Sequence, residues 1–482
     1  MQKSNLIELL KKFSSNELKE FGEYVRSPFF NKNESTVKLF DYIRKYAPEF
    51  SDKKLEKETA YKKLFPGTRY NDGFLRTIMF NLSKLAEDYL TFTRIKSTEF
   101  AEQLSLLSDY NKRELNKMFE KKMKEMHGEL SKSGIKDYNY YYSQYRIEDE
   151  NLAYLQRIHY VKDEKFIKST GIDNILNNLT YFYLIRILKF YVVILNIRSI
   201  YKIEFKTRLL EDILSNFKLE SYEDIPLIKI FYCMVMMHTH KDNEKYYKVL
   251  KNTLDKSREF INEEDLLESL INLENYCLRK VRTGRKEFNL ELSEVFKMEL
   301  KYMNYNEKNK IPYKLFRAII VNALSVKEYE WAQEFIENYK KSLNDEIREN
   351  TINHCKALLD FALGRYEESL KISSKVKYVD VYQKYELKCL TAALYFELNL
   401  EEQLLALLDT FRHLISSDTL VPEDRKEPYI RFTRYIRKLN KLKNNFERSE
   451  FDELDDSLKK EKNLLNEEWI MNKMKEIENK NK

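Results

Sequence analysis

The sequence predicts an all-α protein whose second half is a series of helical hairpins. Only 7 of its 482 residues are proline, and none lies between Pro66 and Pro226, between Pro226 and Pro312, or between Pro312 and Pro422. Long proline-free intervals favour helices, because each interior proline costs a helix roughly 3 kcal/mol. The sequence shows no convincing run of period-two alternation with hairpin turn residues, the pattern that would indicate strands. Three stretches of the second half also resemble one another at a spacing typical of stacked helix pairs.

Residues 1–97 are expected to form an N-terminal helical module. Ser14 and Glu17 have the spacing of a capping box, and Pro28 predicts that this helix ends at Ser27. A later helix is expected to begin after the segment 70–73 (YNDG), where the asparagine or aspartate side chain can cap the free N–H groups. Apolar residues then recur at three- and four-residue steps, which predicts one buried stripe: Leu75, Met79, Leu82, Leu85, Ala86 and Tyr89.

Residues 98–217 are predicted to form long helices. One stripe is expected to be buried on a single face: Tyr141, Tyr145, Leu152, Leu155 and His159. Residues 172–201 are apolar nearly all round, which predicts a helix enclosed by its neighbours. Arg186, Lys189 and Arg198 interrupt this stretch, so we expect no membrane span.

Residues 218–448 are predicted to form shorter helices in pairs. The segments 326–332 (VKEYEWA), 363–369 (LGRYEES) and 398–403 (LNLEEQ) are similar to one another. Alignment of Tyr329, Tyr366 and Leu400 gives spacings of 37 and 34 residues. A period of this size indicates a solenoid, in which each hairpin buries its apolar faces against its neighbours. Residues 449–482 are expected to form a capping helix at its end.

The three segments resemble the turn between the two helices of a tetratricopeptide repeat. In that family a helix is followed by Gly-x-Tyr-x-x-Ala, which Gly364, Tyr366 and the small Ser369 match best, while Tyr329 and Ala332 match in the preceding unit. The resemblance is clearest over residues 311–417 and extends back to about residue 224. The chain departs from the family pattern where polar residues replace apolar or small ones: Lys356, Asp360 and Gln403.

The resemblance implies a right-handed superhelix with a concave groove. In tetratricopeptide repeats the first helix of each pair lines this groove, which holds a segment of a partner protein. By alignment, the groove residues here are Lys314, Arg317, His354, Tyr385, Lys388 and Tyr395, followed along the stack by Arg431 and Arg434. Most are basic or aromatic, so the expected partner is a protein or peptide segment that carries carboxylates. The implied function is that of a non-enzymatic interaction scaffold.

A second hypothesis rests on the basic segment 425–448. Read as a helix, it places Arg431, Arg434, Lys438 and Lys441 on one face, where they could bind a nucleic acid or another anion. The alternative is intramolecular, because the next helix begins with acidic residues from Glu450 onward that could neutralise part of this face. The sequence leaves both open.

No catalytic, metal or cofactor motif stands out in the sequence. Phosphate-binding glycine loops and the H-E-x-x-H motif do not occur. His238 and His240 point in different directions on a helix and are expected to pack rather than bind metal. Four widely spaced cysteines predict buried free thiols in a reducing compartment. With no signal-like N-terminus and no expected membrane span, the expected location is the cytoplasm.

The N-terminal module also resembles another group of proteins. Its segments 27–31 (SPFFN), 65–67 (FPG) and 75–76 (LR) are similar to the start of an uncharacterised bacterial protein family. This resemblance implies no activity.

Overall fold

A computed structural model describes residues 1–98, 100–159, 164–200, 203–207, 210–461 and 464–481. Within these ranges the chain is helical and contains no strand, which confirms the all-α prediction. Two compact units are present, Met1–Tyr183 and Leu184–Lys482, and each is described by itself.

The first unit contains the N-terminal module and the helices that follow it. Its helices are α1 (Asn5–Leu10), α2 (Ser15–Arg26), α3 (Glu34–Ile43), α4 (Lys57–Leu64), α5 (Asp72–Ser97), α6 (Ala101–Lys112), α7 (Asn116–Leu130), α8 (Tyr138–Ile158) and α9 (Glu164–Ser169); α10 (Ile172–Ile200) begins in this unit. Helices α1 to α5 enclose one apolar core, in which the predicted α5 stripe from Leu75 to Tyr89 is buried.

Local capping sets the helix ends of this module as predicted. The Ser14 hydroxyl accepts from the Glu17 N–H at 3.2 Å, and the Glu17 carboxylate accepts from the Ser14 N–H at 2.7 Å. Helix α2 then ends at Arg26, ahead of Pro28. Asn71 caps α5 by accepting from the Phe74 N–H at 2.9 Å. These positions are fixed by side chains within one turn, which is why the sequence reveals them.

The predicted stripe on α8 is wrong only at His159, while Tyr145, Leu152 and Leu155 are half-buried. Tyr141 is buried, but His159 is exposed, and the other buried residues of this helix include Ile147 and Tyr154. The Tyr154 ring stacks on Phe119 with centroids 4.2 Å apart, and its hydroxyl donates to Glu120 at 2.6 Å. Tyr154 therefore contacts α7 in addition to the predicted Leu155, which packs against the same core.

The prediction that α10 is enclosed is also wrong. Its buried stripe in the second unit consists of Leu184, Ile185, Leu188, Tyr191 and Val192, whereas Leu176 and Phe190 are more than half exposed. By length and composition, Ile172–Arg198 is the one helix in the described part of the chain that could cross a membrane. Lys189 lies on the packed side and bonds to Asp265 at 2.7 Å and to Glu264 at 2.8 Å.

The second unit is built mainly from helices that pack in neighbouring pairs. After α11 (Leu210–Asn216) these are α12 (Pro226–Thr239) with α13 (Lys245–Ser257), α14 (Glu263–Arg282) with α15 (Phe288–Met303), α16 (Tyr313–Ser325) with α17 (Tyr329–Tyr339), α18 (Asp345–Ala362) with α19 (Tyr366–Ser373), and α20 (Val381–Glu397) with α21 (Glu401–Ser417). The chain closes with α22 (Glu423–Asn444), α23 (Arg448–Lys460) and α24 (Glu467–Lys480). The predicted turns near Asp242, Val326, Gly364 and Asn399 all fall between paired helices, as expected.

Four of the hairpin turns share one backbone geometry. Each contains one residue with positive φ: Gly284, Lys327, Gly364 and Asn399. The N–H of the next residue then donates to a carbonyl five residues earlier. For example, the Arg365 N–H donates to the Asp360 carbonyl at 2.8 Å. This bond satisfies a carbonyl that the helix end would leave free. The shared geometry supplies an alignment of these turns that is independent of side chains.

The shared geometry corrects the alignment of the third hairpin by one residue. Superposing Lys327, Gly364 and Asn399 gives spacings of 37 and 35 residues. The small buried Ala332 and Ser369 then correspond to Leu404, which is buried like them, and not to the exposed Gln403.

The C-terminal cap is two helices rather than the single helix predicted. α23 and α24 both contribute buried residues to the core that α20, α21 and α22 also form. Asn466 has a positive φ of 53°, which ends any continuous helical path before α24. Trp469 anchors α24 by donating its indole N–H to Glu397 at 2.6 Å.

Two carboxyl groups meet in the core between α14 and α15. The carboxyl group of Glu299 lies close enough to raise the pKa of Glu274, and the Tyr305 hydroxyl donates to Glu299 at 2.7 Å. Glu274 Oε1 and Glu299 Oε2 are buried and have no donor among the described residues. Because ionised carboxylates only accept hydrogen bonds, the two groups can bond to each other only if one of them holds a proton. Burial and the neighbouring Glu299 raise the pKa of Glu274 well above its ordinary value.

Candidate functional site

A polar groove of about 750 Å³ lies in the second unit, and two of the predicted partner-binding residues line it. Its cations are Arg282, Lys314, Arg317 and Arg425. Tyr313, Tyr382 and Tyr429 supply rings, and Asp380 and Glu386 supply carboxylates. We refer to this site as the basic groove.

Two helices position most of these side chains. α16 begins directly after Pro312 and places Tyr313, Lys314 and Arg317 on one face at i, i+1 and i+4. Asp380 caps α20 by accepting from the Gln383 N–H at 2.9 Å, and it thereby sets the start of this helix. Glu386 follows one turn later on the same face as Tyr382.

The two helices are joined across the basic groove by polar contacts. The Tyr313 hydroxyl donates to Asp380 at 2.7 Å, and Lys314 Nζ lies 3.6 Å from the same carboxylate. Arg317 forms an ion pair with Glu386. Burial opposes ionisation of Asp380, but hydrogen bonds from Gln383 and Tyr313 and the charge of Lys314 hold its pKa below the ordinary value. Asp380 is therefore an anion that already occupies part of the groove.

Arg282 differs from the other cations of the groove. Burial, and then the like charge of Arg425, lower its pKa. In the part of the chain that the structure describes, Arg282 has no ion-pair partner. Arg282 therefore brings to the groove a positive charge that no described carboxylate pairs with.

His354, another predicted groove residue, is buried beneath the groove and does not line it. Its Nδ1 lies 3.2 Å from Gln383 Nε2, and its buried Nε2 has no partner among the described residues. Burial, with a smaller effect from Arg317, lowers the pKa of His354 to about 4. The ring therefore stays neutral at physiological pH and contributes no positive charge to the groove.

We expect His354 to remain neutral well below its ordinary titration range. Because its folded pKa lies below the unfolded value, its contribution to stability is present above about pH 6.5 and is lost as the pH falls toward 4. NMR of the imidazole carbons should show no titration of His354 between pH 8 and 5.5. A midpoint near 6.5 for His354 would contradict its burial.

The predicted residues of the third hairpin lie away from the groove surface. Tyr385 is fully buried, packs against Phe411 and Tyr429, and donates to Asp418 at 3.0 Å. Lys388 is half-buried, and its pKa is lowered by burial and then by Lys384. Tyr395 packs at the margin of the C-terminal core. None of these three residues lines the basic groove.

The basic face of α22 is largely neutralised within the chain. Arg431 bonds to Glu461 at 2.5 Å, Lys438 lies 3.9 Å from Glu453, and Lys441 pairs with Glu450. Arg434 is exposed and has no ion-pair partner among the residues described here. Of the two alternatives for this segment, the contacts favour the intramolecular one.

The remaining reactive side chains have structural contacts. His238 Nε2 lies 3.1 Å from Asn272 Oδ1, in agreement with the predicted packing role. All four cysteines are buried free thiols, as expected, and burial raises the pKa of Cys233 and Cys277 to about 12.

Comparison with known proteins adds no assignment. Neither a protein-family model, nor a curated protein, nor a solved structure matches this chain.

Sequence reasoning missed several groove residues. Arg282 and Arg425 stand far apart in the chain, and no local pattern connects them. Asp380 did carry a signal, because an aspartate followed three residues later by glutamine at a helix start is a capping pattern. That pattern fixes the start of α20 and would have placed Tyr382 and Glu386 on the groove face.

Proposed function

We propose that the protein is a non-enzymatic scaffold whose basic groove holds an acidic segment of a partner protein. The observation that carries this proposal is Arg282, a cation with no ion-pair partner in the described residues, beside Arg425 at a groove lined by tyrosines. An arginine fork binds a carboxylate through two parallel hydrogen bonds, so a glutamate or aspartate side chain suits this position.

The tyrosine rings favour a peptide over a simple anion. Tyr313, Tyr382 and Tyr429 line the same groove as the cations. Aromatic rings supply rigid apolar area at low entropic cost, and their hydroxyls can bond to a peptide backbone. A segment that alternates carboxylates with apolar side chains would use both kinds of surface.

The carboxylates that line the groove determine which of its cations are available to a bound peptide. Asp380 and Glu386 hold Lys314 and Arg317, so a ligand carboxylate competes with them at this end of the groove. Arg282 faces no such competitor within the described chain. We therefore place the strongest contact of the bound segment at Arg282 and a weaker one at Lys314.

A labelled peptide tests this proposal directly. The probe is a fluorescein-labelled peptide of sequence Glu-Glu-Leu-Glu-Tyr-Glu-Glu, measured by fluorescence anisotropy with the full chain. The double variant Arg282→Gln plus Lys314→Gln is expected to lower its affinity about tenfold or more, because charge-assisted hydrogen bonds are lost. The control, Lys371→Gln plus Lys375→Gln, removes two exposed charges outside the groove and should leave affinity unchanged.

Two results would refute the groove assignment. One is equal binding of the glutamine-substituted peptide, which carries no carboxylate side chains. The other is an equal loss of affinity in the control variant, which would indicate diffuse attraction to net charge. Binding of single-stranded DNA that weakens steeply with salt and disappears in Arg434→Gln would support the nucleic-acid hypothesis for α22 instead.

A further inference from the structure

A second cleft, of about 780 Å³, lies in the first unit between the end of α5, helix α6 and the first half of α8. Few of its lining side chains are aliphatic. Several carry hydroxyl groups, among them Ser97, Ser105, Ser108 and Tyr142. Hydroxyl groups in this number can hydrogen-bond to a small polar ligand.

Three cations from three different helices converge on this cleft. Arg94 comes from α5, Lys112 from α6 and Arg146 from α8. None of the three forms an ion pair with the residues that the structure describes. Arg146 is oriented by the Tyr142 hydroxyl, which accepts from its Nη1 at 3.3 Å. The guanidinium therefore keeps most of its donors free for a ligand.

One carboxyl group lies among these cations. Glu150 also lines the cleft and is half-buried. Burial raises its pKa, opposed by the charge of Arg146 and, to a lesser extent, by Lys112 and a hydrogen bond with Ser108. Neither Arg146 nor Lys112 lies within ion-pair distance of Glu150. A carboxyl group that is partly desolvated and short of partners is suited to accept hydrogen bonds from ligand hydroxyls.

We propose that this cleft binds a small phosphate ester of a polyhydroxylated compound, such as a sugar phosphate. Arg94, Lys112 and Arg146 hold the phosphate, and Glu150 with the serine hydroxyls bonds to the hydroxyl groups of the ligand. Because the cations and the carboxyl group bind different parts of the ligand, the presence of one acidic residue among three basic ones is explained. A long polyanion such as nucleic acid would gain from the cations but would be repelled by Glu150.

Isothermal titration calorimetry of the full chain tests this site with three probes: ribose 5-phosphate, inorganic phosphate and ribose. Ribose 5-phosphate is expected to bind at least about tenfold more tightly than either of the others, because it alone uses both halves of the cleft. Arg146→Gln and, separately, the exposed Lys112→Gln should each weaken it about tenfold. Lys84→Gln, an exposed lysine of α5 outside the cleft, is the matched control.

Glu150→Leu separates the two halves of the site. It removes the acceptors for ligand hydroxyls but also a negative charge, so ribose 5-phosphate should bind more weakly while inorganic phosphate binds no more weakly than before. Absence of binding by ribose 5-phosphate would overturn the proposal. So would binding no tighter than that of inorganic phosphate, or an equal loss in Lys84→Gln, since either result indicates non-specific anion attraction.

Discussion

Replacing Ala332 with arginine is expected to lower the stability of the second unit by at least about 3 kcal/mol. Ala332 is fully buried in α17, one turn ahead of Phe335, whose ring lies 4.7 Å from that of Phe316 on α16. A longer side chain at this position overpacks the contact at a cost of about 1–3 kcal/mol. The charge adds a desolvation penalty, because an unpaired cation in a core is strongly unfavourable.

Thermal unfolding followed by circular dichroism measures this effect. The matched control is Gln333→Arg, which introduces the same side chain at the neighbouring, exposed position of α17. The control should unfold at the wild-type temperature, while Ala332→Arg unfolds well below it or fails to fold. If the two variants unfolded alike, Ala332 would have to face solvent, and the hairpin register would be incorrect.

The sequence reveals helix ends far better than it reveals which helix faces are buried. The capping box at Ser14, the stop before Pro28 and the turn at Gly364 depend on side chains within one helical turn, and all three occur as predicted. Burial of a helix face depends instead on which other helices of the fold pack against it. The apolar residues all round α10 therefore predicted a fully enclosed helix, although packing buries Leu188 and leaves Phe190 exposed.

The groove illustrates how small errors of register alter a predicted site. Aligning Leu400 with Tyr366 seemed natural from side chains, but the positive-φ residues Gly364 and Asn399 show a displacement of one position. That displacement assigned Tyr385 to the groove, whereas Glu386 occupies it. Backbone geometry of this kind has a weak sequence signal, because asparagine and lysine as well as glycine hold the left-handed position here.

Buried charge is a second feature that the sequence could not locate. Glu274 and Glu299 look like ordinary members of a sequence with 78 acidic residues. Only the packing of α14 against α15 brings their carboxyl groups together beside Tyr305. This pair leads to the second prediction with a large effect.

Stability of the second unit is expected to fall as the pH rises through the neutral range, and Glu274→Gln should reduce that fall. The native state holds the shared proton, whereas the unfolded chain releases it above about pH 4.5. The stability that this proton provides is therefore complete below about pH 4.5 and is lost at higher pH, by about 1.4 kcal/mol per pH unit for one proton. Between pH 6 and 8 the loss amounts to about 3 kcal/mol.

The amide of Glu274→Gln donates permanently to Glu299, so this variant has no shared proton to lose. Its urea unfolding curves at pH 6, 7 and 8 should shift less with pH than those of the wild type, and at pH 8 it should be the more stable protein. Glu334→Gln, an exposed substitution on α17, should keep the wild-type pH dependence. A Glu274→Gln variant that follows the wild-type pH dependence would show that the two carboxyl groups share no proton. The facing oxygens of Glu274 and Glu299 would then need another donor to offset their burial.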